Sequence, residues 1–149
     1  MKTCIALIAT ALTLAPAAAQ PSGERPLAIG AADADLNWGP CPSIFPSDCR
    51  IAVLHGDPGK PGADLFLRVR GGTILPPHQH TSAERMILVG GTLRVDYKGA
   101  PPVTLQRGDY AYGPAGVPHS ASCLGKRPCT LFIAFNGPVD ALPHSGGVD

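Results

Sequence analysis

Apolar and polar side chains alternate along much of the chain after residue 50. In "ADLFLRVR" (residues 63–70), Leu65, Leu67 and Val69 fall on one side of an extended chain, and two arginines fall on the other. Successive side chains of a strand point to opposite faces, so the alternation predicts a half-buried strand. Residues 92–97 repeat this pattern.

Turn residues interrupt the pattern at short intervals. Gly90 and Gly91 separate two apolar runs and predict a hairpin, while Pro76 and Pro77 exclude a helix around them. The predicted strands are 51–54, 63–70, 73–80, 85–89, 92–97, 103–106, 110–112, 119–124 and 130–135. Short strands with frequent turns and no long helix are typical of an all-β sandwich or barrel.

Length and composition are those of one globular domain. The chain has 149 residues, of which 44% are hydrophobic and 15% charged, so it can form one core but not two ordinary domains. Its 18 glycines and 17 prolines form no repeat, which agrees with the many predicted turns.

The N-terminus has the pattern of a secretory signal peptide: Lys2, an apolar stretch over 5–14 and small residues at 17–19. We therefore expect residues 1–19 to be removed and the mature chain to be periplasmic or secreted. A buried N-terminal helix is the alternative, but the apolar run is short and breaks at Pro16. No cysteine stands at the predicted cleavage site and no later segment is long enough to span a membrane, so we expect no membrane anchor.

The charge balance excludes one class of partner. Of the 12 basic and 11 acidic residues, only Lys2 lies within 1–19, which leaves 11 of each sign and no basic cluster. This balance argues against nucleic acid or an anionic membrane surface as a partner.

Four cysteines lie after the predicted cleavage site, and disulfides are expected in an exported protein. Three pairings of Cys41, Cys49, Cys123 and Cys129 are possible. We favour the local pairing, Cys41 with Cys49 and Cys123 with Cys129, because each pair brackets a turn-rich stretch. Four free thiols are the alternative for a chain that is not exported, and no C-x-x-C spacing supports a zinc site.

The stretch "PPHQHTSAE" (residues 76–84) contains three potential metal ligands. In an extended strand His78 and His80 point to the same face, with Cα atoms about 6.6 Å apart, and both imidazoles can approach one ion. Glu84 follows a short turn, so its carboxylate can reach the same point. A lone H-x-H is weak evidence, and two surface histidines remain the alternative for this stretch alone.

A second stretch, "GDYAYGPAGVPHS" (residues 108–120), adds His119, and the two stretches together resemble the two motifs of the cupin superfamily. The first reads Gly, five residues, His-Gln-His, three residues, Glu, six residues, Gly over 72–91. The second reads Gly, five residues, Pro-Ala-Gly, two residues, His over 108–119. The 16 residues between them, 92–107, are within the range typical of a small single-domain cupin.

One position departs from the family pattern. The second motif usually ends in Asn, and here Cys123 takes that place. Cys123 is four residues beyond His119, about 13 Å along a strand, which is too far to share an ion. The Asn is not a ligand in the family, so we expect Cys123 to be a disulfide or core residue and the metal site to be unaffected.

The resemblance implies a double-stranded β-helix (jelly-roll) barrel with an N-terminal arm. Within it, His78, His80, Glu84 and His119 would hold one divalent transition metal (Fe, Mn, Ni, Cu or Zn) with two open positions. The implied layout is a signal peptide over 1–19, an N-terminal arm over 20–50, a cupin domain over 51–137 and a flexible tail over 138–149. A homodimer is also implied, since small cupins commonly pair through edge strands or such an arm.

A metal with open positions can polarise a carbonyl, activate water or bind dioxygen. Met86 and Leu88 share the predicted inward face of Glu84, so the pocket is narrow, apolar and without arginine. This favours a small neutral or weakly polar organic molecule over an oxalate-type anion. We expect an exported metal-dependent enzyme, dioxygenase-like. The alternative is a non-catalytic small-molecule-binding or stress-related cupin with a structural metal.

Overall fold

The structure, a computed structural model, describes residues 25–148. Within this range the chain is all-β and contains no helix, hence none that could cross a membrane. The strands are β1 (Gly39–Pro40), β2 (Arg50–His55), β3 (Asp64–Val69), β4 (Ile74–Gln79), β5 (Glu84–Gly90), β6 (Leu93–Tyr97), β7 (Val103–Leu105), β8 (Tyr110–Gly113), β9 (His119–Cys123), β10 (Cys129–Phe135) and β11 (Leu142–Pro143). Nine of them correspond to the predicted strands, and the two-residue strands β1 and β11 were not predicted.

The strands form two antiparallel sheets that face each other as a jelly-roll barrel with an N-terminal arm. The six-stranded sheet has the order β1-β2-β3-β10-β5-β8, and the five-stranded sheet has the order β11-β4-β9-β6-β7. Strands distant in sequence are neighbours, as where β3 pairs with β10 and β4 pairs with β9. The inner faces of both sheets therefore enclose one core.

The alternation in β3 explains how this core forms. Leu65, Leu67 and Val69 are buried between the sheets. Phe66 points to the outer face, where its ring packs edge-on against Phe132 with centroids 6.4 Å apart. Burying one large aliphatic side chain contributes about 1.5–3 kcal/mol relative to leaving it in water, so the inward row stabilises the barrel.

The two disulfides join cysteines that are close in sequence, which confirms the predicted local pairing. Cys41–Cys49 closes the loop between β1 and β2, and Cys123–Cys129 joins the end of β9 to the start of β10. The second bond thus links the two sheets. Intramolecular disulfides indicate a non-cytoplasmic, oxidising environment.

Of the predicted signal peptide and the predicted C-terminal tail, the structure describes only the tail, up to Val148. The predicted signal peptide, residues 1–19, lies outside the described residues. The segment 138–149 was expected to be a flexible tail, but its described part, up to Val148, is tied to the barrel: β11 pairs with β4, and Val139 packs against the core. The segment has no apolar periodicity that would have predicted a strand. It is held by backbone hydrogen bonds to the edge of β4.

Candidate metal centre

The four predicted ligands come from three strands and the turn that follows one of them, and they meet between the two sheets. His78 lies in β4, His80 directly follows it, and His119 begins β9, the neighbouring strand of the five-stranded sheet. Glu84 begins β5 in the opposite sheet. The short turn after His80 carries the chain from one sheet to the other. Glu84 therefore faces His78 and His80 from the opposite sheet.

The three histidines form a compact buried cluster. One ring nitrogen from each lies within 4.8 Å of the others. The ring of His119 lies 4.2 Å from that of His78 and 5.2 Å from that of His80, measured between centroids. Three imidazole nitrogens at such separations fit a transition-metal site.

Each imidazole is oriented by a hydrogen bond to a backbone carbonyl. His78 and His119 each donate from Nδ1 to the carbonyl two residues earlier, at 2.7 and 3.2 Å, and His80 donates from Nδ1 to the carbonyl of Asp140. A carbonyl oxygen only accepts, so Nδ1 carries the hydrogen in all three rings. In the neutral rings the Nε2 lone pairs are then free to ligate.

Glu84 brings a carboxylate into this group of lone pairs. Its side chain is buried, with Oε1 3.2 Å from Nε2 of His119 and Oε2 3.4 Å from Nε2 of His80. Among the described residues Oε1 accepts no hydrogen bond of standard geometry. A buried anion facing nitrogen lone pairs is unfavourable unless a cation, either a proton or a metal ion, lies between them. The donor set therefore fits a bound divalent ion.

The protonation states also suit a metal. Burial, reinforced by the field of His119, lowers the pKa of His78 to about 4, so His78 is neutral near pH 7. Burial alone would raise the pKa of the Glu84 carboxyl, but contact with His119 and the positive fields of His80, His119 and His78, which these rings exert only when protonated, bring it below its ordinary value. Neutral imidazoles and an ionised carboxylate are the ligating forms.

Gly113 makes room for the carboxylate. This residue ends β8 and pairs with Glu84 across the sheet. A Cβ added at Gly113 would lie 2.9 Å from both Cγ and Oε1 of Glu84. Any side chain at this position would push the carboxylate out of its place.

Tyr97, at the end of β6, packs beside the histidine cluster. Its ring lies 5.3 Å from that of His119, and its hydroxyl is buried without a hydrogen-bond partner among the described residues. Burial raises the pKa of Tyr97, and the negative charge of Glu84 raises it further, so the phenol stays protonated. Tyr97 borders the cluster but does not line the cavity.

An internal cavity of about 50 Å³ adjoins the histidines. This is room for only a few water molecules. Besides the cluster, its buried walls are mostly aliphatic: Leu65, Leu67, Leu75, Met86, Leu93, Val95, Ala121, Leu131, Ile133 and Phe135. No arginine or lysine of the described chain lines it, in agreement with the predicted apolar pocket.

Two lining residues near the histidines were not anticipated as parts of the site. Phe45 contacts His78, and Asp140 supplies the carbonyl that orients His80. An aromatic side chain inside a cysteine-bracketed loop was the only available signal for Phe45. The sequence around Asp140 contains no pattern that would have identified it.

Comparisons with known proteins agree with this architecture. Residues 65–135 match the family model for the cupin domain. Among curated proteins no match was found. The DMSP lyase DddQ from Ruegeria pomeroyi DSS-3 is 21% identical with a TM-score of 0.64, and the match covers 75% of this chain and 64% of that one.

A chain from the structures of the DMSP lyases RdDddP and RnDddQII is 18% identical with a TM-score of 0.64, covering 74% of this chain and 63% of that one. The chain thus spans less than two thirds of either lyase. A structure of the oxalate decarboxylase of Bacillus subtilis, which has Mn(II) centres, is 23% identical with a TM-score of 0.54 over 64% of this chain and 27% of that one. At these identities the likeness establishes the fold.

Proposed function

Because this chain belongs to the cupin superfamily, we propose that it is an exported metal-dependent enzyme that acts on a small organic molecule. One observation carries the proposal: three oriented imidazoles and one ionised carboxylate converge on a buried point beside an apolar cavity. His78, His80, Glu84 and His119 would hold the ion. When bound, a divalent transition metal supplies Lewis-acid activation of a carbonyl or of water, or redox chemistry with dioxygen.

The rest of the chain supplies orientation and exclusion of water. The backbone carbonyls behind each imidazole keep the Nε2 atoms directed at the ion, and the aliphatic walls keep bulk water away from a bound molecule. Because no cationic side chain lines the cavity, a strongly anionic substrate has no counter-ion there. We therefore propose a small neutral or weakly polar substrate and a dioxygenase-like reaction.

Metal content tests the first part of this proposal. Protein purified from an oxidising compartment is expected to carry about one divalent ion per chain, measured by elemental analysis. His119→Ala should lose that ion, whereas His55→Ala, a histidine outside the cluster, should retain it. Wild-type protein that takes up no ion at neutral pH contradicts the proposal.

Turnover tests the second part. Metal-loaded protein is expected to consume oxygen with at least one member of a panel of phenols and diketones, and His80→Ala is expected to abolish this consumption. The small cavity also favours a second candidate, a non-catalytic binding protein with a structural metal. That candidate predicts a large loss of thermal stability on chelation, tightly held zinc and no turnover.

Export and assembly are proposals of the same kind. The two disulfides support an oxidising compartment, and we propose that residues 1–19 are a signal peptide. N-terminal sequencing of the secreted chain should begin near Gln20, and an uncleaved chain contradicts it. The homodimer implied by the family resemblance predicts a mass of twice the monomer in sedimentation equilibrium.

A further inference from the structure

The partly exposed residues that line the cavity beside the histidines mark where it approaches solvent. Nearly all residues that line it are buried, and the exceptions are Pro42, Phe45, Ile51, Val139 and Asp140. These five belong to two segments, one before and one after the region that matches the cupin family model, residues 65–135. Access to the metal centre is therefore built from parts of this chain that lie outside the matched domain.

The first segment is a closed ring of residues, 41–49, which we call the stapled loop. The Cys41–Cys49 disulfide closes it, and Cys49 is buried in the core. Asp48 anchors it to the β3–β4 connection: its carboxylate accepts a hydrogen bond from the Thr73 hydroxyl at 2.6 Å and lies 3.4 Å from Nε of Arg70. The loop is thus held against the barrel at its ends.

Phe45, midway round this loop, separates the cluster from solvent. Its ring meets that of His78 edge-on, with centroids 4.7 Å apart and planes at 85°. The side chain is half-buried, so one side faces the cavity and the other faces water. Packing places it there, since no hydrogen bond can hold a phenyl ring.

The opposite side of the opening is held by polar contacts. Asp140 accepts the hydrogen bond from His80 at its carbonyl, and its carboxylate accepts one from the backbone N–H of Thr81 at 3.0 Å. The neighbouring strand β11 pairs with β4. On this side, a movement away from the cluster would break hydrogen bonds. On the side of the stapled loop, Phe45 can move away from His78 without breaking any strand pairing.

We propose that Phe45 determines the size of the molecule that reaches the histidine cluster, and that the Cys41–Cys49 disulfide keeps it in place. The identity of the ligand site rests on the proposed function, but the barrier itself does not. A cavity of about 50 Å³ admits little more than water. A larger ligand can be accommodated only if Phe45 yields.

Chemical labelling of the metal-free protein tests the barrier directly. Diethyl pyrocarbonate modifies accessible imidazoles, and mass spectrometry assigns the label to each histidine. Phe45→Ala is expected to speed labelling of His78 about five- to tenfold. Losing the stabilisation that one aromatic pair provides changes the population of the open state by about this factor. The control Phe132→Ala removes a phenyl ring from the outer face of the barrel and should leave the rate unchanged. An unchanged rate in Phe45→Ala, or in Phe45→Leu should the alanine variant not fold, overturns the proposal.

The disulfide has its own control. The double variant Cys41→Ser/Cys49→Ser should speed labelling of His78 as Phe45→Ala does, while Cys123→Ser/Cys129→Ser should not. Reduction of the wild-type protein should reproduce the first result. Equal labelling in both double variants shows that the stapled loop has no specific part in the barrier.

Ligand binding to the cobalt-loaded protein tests the consequence for size selection. Imidazole and 4-phenylimidazole differ in bulk but coordinate alike, and visible absorption reports each. Phe45→Ala should raise the affinity for the larger probe about tenfold relative to the smaller one. Wild-type protein without cobalt uptake removes the proposed function yet leaves the labelling result standing. Cobalt uptake with an unchanged affinity ratio overturns the size selection alone.

Discussion

His78 and His119 are paired directly across the neighbouring strands β4 and β9, with ring centroids 4.2 Å apart. Residues opposite each other in an antiparallel pair have Cβ atoms about 4.5–5.5 Å apart, so strand register alone brings the second motif to the first. A shift of one residue would turn His119 to the other face. The geometry of the candidate metal centre therefore depends on the register of this sheet.

Replacing Glu84 by Gln separates the two roles of the carboxylate. The Nε2 atoms that face the carboxylate carry lone pairs when the rings are neutral, so the buried anion then has no donor. Gln keeps the shape and can donate to Nε2 of His119. Glu84→Gln should therefore stabilise the metal-free protein by about 1–3 kcal/mol and remove the stabilisation that a divalent ion provides. Urea unfolding with and without metal measures both effects, and a destabilised metal-free variant contradicts this account of the site.

Gly113→Ala should weaken metal binding without touching a ligand. The added methyl group would lie 2.9 Å from the Glu84 carboxylate and displace it. We expect affinity to fall about 10–100-fold, as when a group that positions a ligand is lost. Gly90→Ala is the matched control, because no atom lies within 4 Å of the Cβ it would add. Calorimetric titration compares them, and equal affinities mean that Glu84 is not held as described.

Much of the barrel could be predicted because strand patterning is local. The alternation of Leu65, Leu67 and Val69 marks an inward face whatever the strand pairs with. β1 and β11 have only two residues each, and they exist through pairing with β2 and β4. Two residues are too few to show an alternation of apolar and polar side chains, so these strands could not be predicted from the sequence.

The site shows the same limit. The two histidine-containing motifs keep fixed spacings, and those spacings predicted which residues the structure brings together. Phe45 reaches His78 only after the stapled loop folds over the barrel, and Asp140 meets His80 from 60 residues away. Such contacts depend on the assembled sheets, so the sequence alone could not place Phe45 and Asp140 beside the histidines.

The metal-free protein should lose stability as pH falls from 7 to 5. His78 is neutral in the fold, where its pKa is about 4, but takes up a proton in the unfolded chain near pH 6.5. The unfolded state then binds more protons, and the free energy of unfolding falls by up to about 1.4 kcal/mol per pH unit. The carboxyl of Glu84 adds no slope here, since both its ordinary and its lowered pKa lie below this range.

Urea unfolding in a chelating buffer at pH 5, 6 and 7 measures this slope. His78→Gln removes this titrating group and should reduce the slope. A wild-type profile that is flat between pH 5 and 7 contradicts a neutral, buried His78.

The Cys123–Cys129 disulfide should matter for stability and not for metal binding. It closes a sequence separation of 6 residues and links the two sheets, but Cys123 lies at the far end of β9 from His119. The double serine variant should lose about 2 kcal/mol of unfolding free energy from the loop-closure term and keep its metal affinity. The Cys41–Cys49 disulfide closes a similar separation of 8 residues, so Cys41→Ser/Cys49→Ser should lose a similar amount of unfolding free energy. Unfolding and titration of both variants test this, and loss of metal affinity in the Cys123 variant would mean that the sheet contact at that end also sets the register of His119.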